Sequence, residues 1–593
     1  MYAPLPDLLR GQAEAAYANF LWQPDGDDTL VTALEDWAAA GPQDPFLVFE
    51  GTTWSVGRFN AAANRAARAY QDMGLSKGDV LVLVMDNRPA YLVQQYACFK
   101  LGVVVAMVNP NLRGNVLAHA VAAAEPKVLL VGDEHAAEMA SIRGELAAKG
   151  CTPRFLSDPE PRGIEQGDAE IPEGFEDFRE LAANHVPQNL AISHEHRLHD
   201  LAAYIYTSGT TGLPKPAVVK HHRLYRAAHV MGGLLGLSSK DCIYLTLPLY
   251  HANASLIAVP STITHRGRLH LARRFSASRF WDDCRSSGAT AAMYVGELCR
   301  YLVNRPPSAG DRDHQVTRVF GNGMRPDVWA QFIERFGVEK VLEYYASTEG
   351  NAETANMFGV QGSCGPMIPV KMALLRYDVE KDAVVRNRWG RCVRALPGEP
   401  GLLVGRIKGK NEFSGYRNKD ATESKILRDV FRKGDAYFNT GDLLRRDLRN
   451  HLFFVDRLGD TFRWKGENVS TQEVAEVLHG IDCVEEANVY GVEIPGQEGR
   501  AGMAALVPNG EFDPAAVYTD VASALPDYAQ PRFLRLVPQM EVTGTFKQRK
   551  VAMKDEGFGE DVADAYVRDP EGRTYRPLDA NLRQKVLDGR FKV

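Results

Sequence analysis

Between residues 58 and 131 short apolar runs alternate with helix-patterned segments, and few architectures accommodate that alternation. The pattern predicts a helix at 58–73 stopped by Gly74, a strand at 80–85, a helix at 88–100 closed by Gly102, a strand at 103–108, a helix at 113–124 and a strand at 127–131. Strands apolar on both faces belong in a parallel sheet with helices on either side. A second block repeats the scheme through a strand at 243–247, a helix at 276–286 and a strand at 338–344. Residues 366–458 change to glycine-rich β alternation, and after Gly459 a compact α+β pattern begins, with a helix at 471–479 and a strand at 487–492. A chain of 593 residues is too long for one core. The expected fold is therefore α/β. A large N-terminal domain over 1–458 holds two doubly wound βαβ subdomains and a small β-barrel, and a small α+β domain covers 459–593. The Pro-, Gly- and acid-rich residues 158–174 read as an exposed loop.

Residues 204–216, Tyr-Ile-Tyr-Thr-Ser-Gly-Thr-Thr-Gly-Leu-Pro-Lys-Pro, carry the densest functional signal. Thr207, Ser208, Gly209, Thr210, Thr211 and Gly212 crowd hydroxyls and bare amides together and end at the Lys215 ammonium, a set that can wrap a phosphate chain. A Walker A loop is excluded by spacing. Gly209 and Gly212 are three apart, and Pro216 stands where that loop needs a magnesium-binding hydroxyl. β-favouring runs flank the segment on both sides, so it joins two strands. Gly321, Asn322 and Gly323 follow apolar Val319 and Phe320 as a tight turn at a strand end, where open α/β sheets place ligands. Read by itself, the Thr348-Glu349 pair after a strand is a helix start with a capping carboxylate, and Asp456-Arg457 is a surface ion pair. His194, Glu195, His196, His199 and Asp200 have metal-like spacing but read as plain surface. The formal charge of −6 offers no basic face for nucleic acid.

These motifs, in this order, resemble those of the adenylate-forming enzymes: acyl-CoA synthetases, adenylation domains of peptide synthetases and beetle luciferases. Thr207 to Lys215 resembles the phosphate-binding signature, and Tyr345-Ala346-Ser347-Thr348-Glu349 resembles the Tyr-Gly-x-Thr-Glu segment. Thr440-Gly441-Asp442 and Asp456-Arg457 resemble the ribose-binding pair, and Gly544 to Lys550 the catalytic-lysine segment. Residues 460–471 and 490–503 are similar to the fatty-acid-transport and very-long-chain acyl-CoA synthetase branch.

The resemblance implies ATP and coenzyme A as substrates with Mg2+ as cofactor. It implies that Lys215 and the loop hold phosphates, that Glu349 and Thr207 bind the metal, and that Gly321, Asn322, Gly323 and Tyr345 flank adenine. Asp442 then meets the ribose hydroxyls, Arg457 the ribose and AMP phosphate, and His251 lines the acyl site. Lys547 is the catalytic lysine, although Thr545 and Phe546 extend the common Thr-Gly-Lys form and leave Lys550 as a competitor. Trp464, Lys465, Gly466 and Glu467 line the pantetheine path, and Gly459 is the hinge on which a small mobile α+β C-terminal domain turns between half-reactions. The implied function is synthesis of a long- or very-long-chain acyl-CoA through acyl-AMP. The alternatives are a synthetase for a steroid side-chain acid, a ligase loading a carrier protein, and a lipid-binding transport protein. Eight scattered cysteines, an N-terminus without a basic and apolar leader, and no apolar run near ~20 residues predict a cytoplasmic protein. Any membrane contact is then peripheral, at the inner face, unlike animal transport proteins of the branch with their N-terminal membrane segment.

Overall fold

The computed structural model describes residues 26, 28–160, 171–208, 213–378, 381–409, 411–464, 467–495, 497, 499–541 and 550–591. Packing divides the chain into two compact units. One holds residues 1–365 with 412–425, the other 366–411 with 426–593.

The first unit contains two mainly parallel sheets, with strands numbered along the chain. One sheet holds β3 (Val80–Val84), β4 (Val104–Met107), β5 (Val128–Gly132), β6 (Arg154–Asp158), β7 (Glu176–Asp177), β8 (Leu201–Ser208) and β9 (Pro214–Lys220) in the order β7-β6-β5-β3-β4-β8-β9. Every residue of β3, β4 and β5 is buried, as expected of strands covered on both faces. β3 runs parallel to β4 and β5, with helices Pro89–Leu101 and Gly114–Ala124 as crossovers, so the alternation read from sequence is the one built. Gly102 closes the first of these helices in the left-handed region at φ 68°, and a side chain there would press on the His196 imidazole. The second sheet has the order β15 (Thr354–Ala355), β14 (Lys340–Tyr345), β13 (Arg318–Asn322), β12 (Ala291–Val295), β10 (Cys242–Leu245), β11 (Arg268–Leu271), β1 (Pro45–Phe49) and β2 (Thr52–Ser55).

Two expectations need correction here. Asp158 is not loop but the end of β6, 6% exposed and accepting a hydrogen bond from Gln94 Nε2 at 2.7 Å. Of the histidine-rich stretch, His194, Glu195 and His199 are exposed as expected, but His196 and Asp200 depart from a plain surface. His196 is buried, with Nε2 2.9 Å from the Lys100 carbonyl, and Asp200 pairs with Lys77. Local polarity hides both, because each polar group is satisfied by a partner distant in sequence.

In the second unit, antiparallel strands Met372–Leu375, Gly401–Arg406, Ala436–Arg446 and His451–Arg457 stand where the small barrel was expected, over a core including Leu375, Leu402, Val404, Val430 and Tyr437. A five-stranded sheet (Val484–Val492, Ala501–Pro508, Phe533–Leu536, Ala565–Asp569, Thr574–Pro577) carries helices Thr471–His479 and Pro514–Ala524. The boundary expected at 458 falls inside this unit. Asp456 at the end of one sheet is 2% exposed and accepts the Thr471 N–H at 2.7 Å, which ties residues before 458 to those after it. Among the described residues no helix is long and apolar enough to cross a membrane.

Candidate active site

β8 and β9 form the arms of the hairpin expected to hold phosphate, antiparallel with Thr207 opposite Lys215 and Ser208 opposite Pro214. The segment does join two strands. Gly209, Thr210, Thr211 and Gly212 lie outside the described residues, as do Lys465, Gly466 and Lys547. β8 is parallel to β4, so Thr207 sits near the C-terminal end of a parallel strand, where such sheets present ligands. The free edge of β9 is covered by residues 415–417: the Val218 N–H reaches the Gly415 carbonyl at 2.9 Å and the Arg417 N–H reaches the Pro216 carbonyl at 3.0 Å.

That added strand carries a residue which sequence reasoning missed. The Tyr416 phenol donates to Glu349 Oε1 at 2.9 Å. Thr207 Oγ1 is buried, forms no hydrogen bond of standard geometry with a described residue, and stands beside the same phenol. Burial, and next the Glu349 charge, push the Tyr416 hydroxyl well above its ordinary range, so it remains a donor at neutral pH. Glu349 is 8% exposed and starts no helix; residues 346–353 loop back into β15, antiparallel to β14. The loop is pinned at the Ser347 carbonyl, which accepts from the Gly350 N–H at 3.3 Å and from the half-buried Arg223 guanidinium on helix His221–Leu235. A buried hydroxyl lacking a donor and a buried carboxylate held by one are hard oxygen ligands of the kind Mg2+ takes, so these residues fit the metal. The Gly415-Tyr416 pair before the Asn418 helix cap was visible in sequence, but nothing local aims the phenol at Glu349.

Gly321, Asn322 and Gly323 stand at the C-terminal end of β13, between β12 and β14, with Gly323 at φ 82°. Asn253 Nδ2 donates to Asn322 Oδ1 at 2.8 Å, which links the turn to the segment carrying His251. The His251 carbonyl accepts the Ser255 N–H at 3.1 Å at the entry to a π-helical turn, Asn253–Ala258. Tyr345 ends β14, largely buried, and Ala346 beyond it is exposed. A second missed residue, Glu343 on β14, lies beneath the turn and accepts from the Tyr294 hydroxyl and the Gly323 amide. Burial raises its carboxyl from 4.5 to about 8.

In the second unit Asp442 and Arg457 are cross-strand partners, with Nε of the arginine 3.6 Å from Oδ1 of the aspartate, so the expected ribose pair is brought together. Gly459 has no positive φ, and a side chain there would meet nothing within 4 Å, so nothing in this conformation demands glycine. Its carbonyl accepts from Lys554 Nζ at 2.7 Å. Lys550, the competitor of Lys547, is engaged: Nζ lies 2.8 Å from Thr471 Oγ1 and 3.6 Å from Asp460 Oδ2. Trp464 is fully buried in the core of the C-terminal module, so its ring packs rather than lines a path, while Glu467, opposite it in register, is exposed.

Comparison with known proteins gives the family and the fold. The family model described as AMP-binding enzyme matches residues 34–417, and AMP-binding enzyme C-terminal domain matches 473–547. The chain is 40% identical over 577 residues to Long-chain fatty acid transport protein 2 of Rattus norvegicus, covering 95% of this chain and 92% of that one. It is 40% identical over 595 residues to the Medium/long-chain-fatty-acid--CoA ligase FadD6 of Mycobacterium tuberculosis (strain ATCC 25618 / H37Rv), covering 99% and 95%. Among solved structures, an anthranilate CoA ligase, AuaEII, in complex with anthranoyl-AMP matches with TM-score 0.75 at 17% identity, covering 90% of this chain and 98% of the other. ATP-bound MatB from Rhodopseudomonas palustris matches with TM-score 0.73 at 23% identity, covering 89% and 98%. The fold is thus the one that these ligases share, and by sequence the chain belongs to the AMP-binding enzyme family.

Proposed function

We propose that this chain is an ATP-dependent acid–thiol ligase that converts a long- or very-long-chain fatty acid to its CoA thioester through an acyl-AMP. The observation that carries this reading is the meeting of Thr207 and Glu349 at the Tyr416 phenol beside the phosphate hairpin. It occurs in a chain 40% identical to a protein named as a medium/long-chain-fatty-acid–CoA ligase. In the first step a carboxylate oxygen attacks the α-phosphorus of ATP, the bond to the bridging oxygen breaks, and pyrophosphate leaves. In the second the CoA thiolate attacks the acyl carbonyl, and AMP leaves with the electron pair of the broken C–O bond.

The two anions of the first step repel each other, so positioning and fixed positive charge carry the catalysis. We assign the β- and γ-phosphates to Lys215 with Ser208, Gly209, Thr210, Thr211 and Gly212. Adenine goes to Gly321, Asn322, Gly323, Tyr345 and Ala346, with Ser347 and Thr348 completing the nucleotide contacts. Asp442 takes the ribose, Arg457 the ribose and AMP phosphate, and His251 the acyl site. Glu349 and Thr207 would hold Mg2+, whose charge neutralises part of the triphosphate when bound. Lys547 meets the charge that grows at the α-phosphate; the engagement of Lys550 with Thr471 and Asp460 supports this choice. Lys465, Gly466 and Glu467 serve the CoA step, reached by a turn of the residues after Gly459. We assign the enzyme to the cytoplasm, in peripheral contact with the inner membrane face.

The test is CoA-dependent AMP release across acids of graded chain length, expected to peak at long chains. A second reading, fatty-acid binding and transport without ligation, is favoured by the name of the rat relative. Tight fatty-acid binding with no AMP formed from any acid would establish that reading against ours.

A further inference from the structure

On three adjacent parallel strands, Tyr294 of β12, Gly321 of β13 and Glu343 of β14 are in register. Side chains in register on neighbouring parallel strands point to the same face. Gly321 contributes none, and a Cβ built there would overlap the Tyr294 backbone and crowd its ring. Tyr294 therefore crosses the glycine, and its hydroxyl donates to Glu343 Oε2. The other carboxyl oxygen accepts the Gly323 amide, and Oε2 also lies 3.4 Å from the Met324 amide. Glu343 is 5% exposed.

We propose that Glu343 is a positioning residue for the adenine subsite, holding the Gly323 amide and thereby setting the shape of the turn at 321–323. This rests on our assignment of that turn to adenine. Gly323 sits at φ 82°, which glycine adopts without steric cost, and its amide is held from beneath by the Glu343 carboxyl. Among the described residues, the titratable groups that interact with the carboxyl are themselves neutral: the Tyr294 phenol on β12, the Cys299 thiol on helix Gly296–Val303 and the neighbouring Tyr344 phenol on β14, all held high by burial. Burial, with no cation among the described residues to offset it, pushes the carboxyl up to about 8, so the neutral form prevails at pH 7. Loss of that proton would put a charge into this buried site with only the Tyr294, Gly323 and Met324 donors to offset its desolvation.

If only the neutral form holds the turn, AMP affinity falls with its population, about ten-fold between pH 7 and pH 9. AMP suits the test because its phosphate is already doubly ionised at both values. Calorimetric titration of the full chain with AMP, and with inorganic tripolyphosphate as a ligand lacking adenine, should show three things. Wild type loses about ten-fold in AMP affinity from pH 7 to 9 while tripolyphosphate changes little. Glu343→Gln, which keeps a neutral side chain of the same shape, binds AMP equally at both values. Glu343→Leu binds AMP about ten-fold more weakly at pH 7 and tripolyphosphate as wild type does. Glu343→Leu with wild-type AMP affinity, or Glu343→Gln with the wild-type pH dependence, would overturn the role. Tyr345→Ala separates the layers: if it weakens AMP binding while Glu343→Leu does not, only the positioning role falls. If neither changes AMP binding, the adenine assignment falls with it.

Discussion

Lys547 and Lys550 should fail in different ways. In Lys550→Met the ammonium that bonds Thr471 Oγ1 at 2.8 Å and stands 3.6 Å from Asp460 is gone. A hydrogen bond from a charged donor contributes roughly 1.5–3 kcal/mol when well buried. The Lys550 side chain is 19% and that of Asp460 29% exposed, so solvent screens the ion pair to a few tenths. Asp456, whose carboxyl burial already raises, also loses its nearest countercharge. The net expectation is about 2 kcal/mol, or a fall of roughly 4–8 °C in the midpoint for a domain of 150–250 residues. Acyl-AMP formation below that midpoint should survive. Lys547→Ala should do the opposite: an unchanged melting curve, ATP binding near normal, and acyl-AMP formation slowed by about a hundred-fold or more. The assay is a melting curve for each variant beside single-turnover acyl-AMP formation from ATP and acid. A stable Lys550→Met protein that cannot adenylate, with Lys547→Ala near normal, would refute the reasoning and move the catalytic role to Lys550.

Tyr416→Phe removes the donor to Glu349 Oε1. It should weaken Mg2+ affinity about ten-fold, read with Mn2+ as a spectroscopic probe in the presence of ATP. Glu349→Gln should weaken it further, and unchanged metal binding in both would return Glu349 to a structural role. Gly459→Ala should be almost silent, since a side chain there meets nothing within 4 Å. Gly459→Pro fixes φ near −65° and should slow CoA transfer from preformed acyl-AMP far more than acyl-AMP formation; equal loss in both would deny the hinge. Glu343 also makes stability depend on pH. Its folded value of about 8 lies above the ordinary 4.5, so the fold binds this proton more tightly than the unfolded chain does. Its contribution is complete below about pH 4.5 and disappears as pH rises through 8. Wild type should therefore lose about 1.4 kcal/mol relative to Glu343→Gln between pH 7 and 9 in denaturant titrations, and parallel curves would contradict the raised value.

Local rules were enough for the elements. Helix Thr471–His479 has the limits expected, because Ser470 caps its first turn and Val474 and Leu478 repeat at helical spacing on the buried face. The parallel strands β3, β4 and β5 announced themselves by apolar runs. The motif order led to Thr207, Glu349 and the Asp442–Arg457 pair. What sequence could not supply was contact between distant positions: Tyr416 with Glu349, Tyr294 with Glu343, Asp456 with Thr471. Polar residues buried by such contacts look locally like surface, which is why Asp158 reads as exposed loop and His196 as surface. Trp464 failed for the converse reason, since a motif position does not say which way a side chain turns.

The visit of residues 412–425 to the first unit has a consequence for biosynthesis. A nascent chain that has emerged only to residue 365 has both sheets of that unit but not the strand that covers β9. Until Gly415 and Arg417 are made, the Val218 amide and the Pro216 carbonyl face solvent on an open edge, the kind of edge that recruits foreign strands. The Tyr416 hydroxyl that holds Glu349 arrives at the same late moment. Fragments ending near 365 should therefore aggregate, while fragments ending beyond 425 should not, and stop codons on either side of that segment would yield proteins of sharply different solubility.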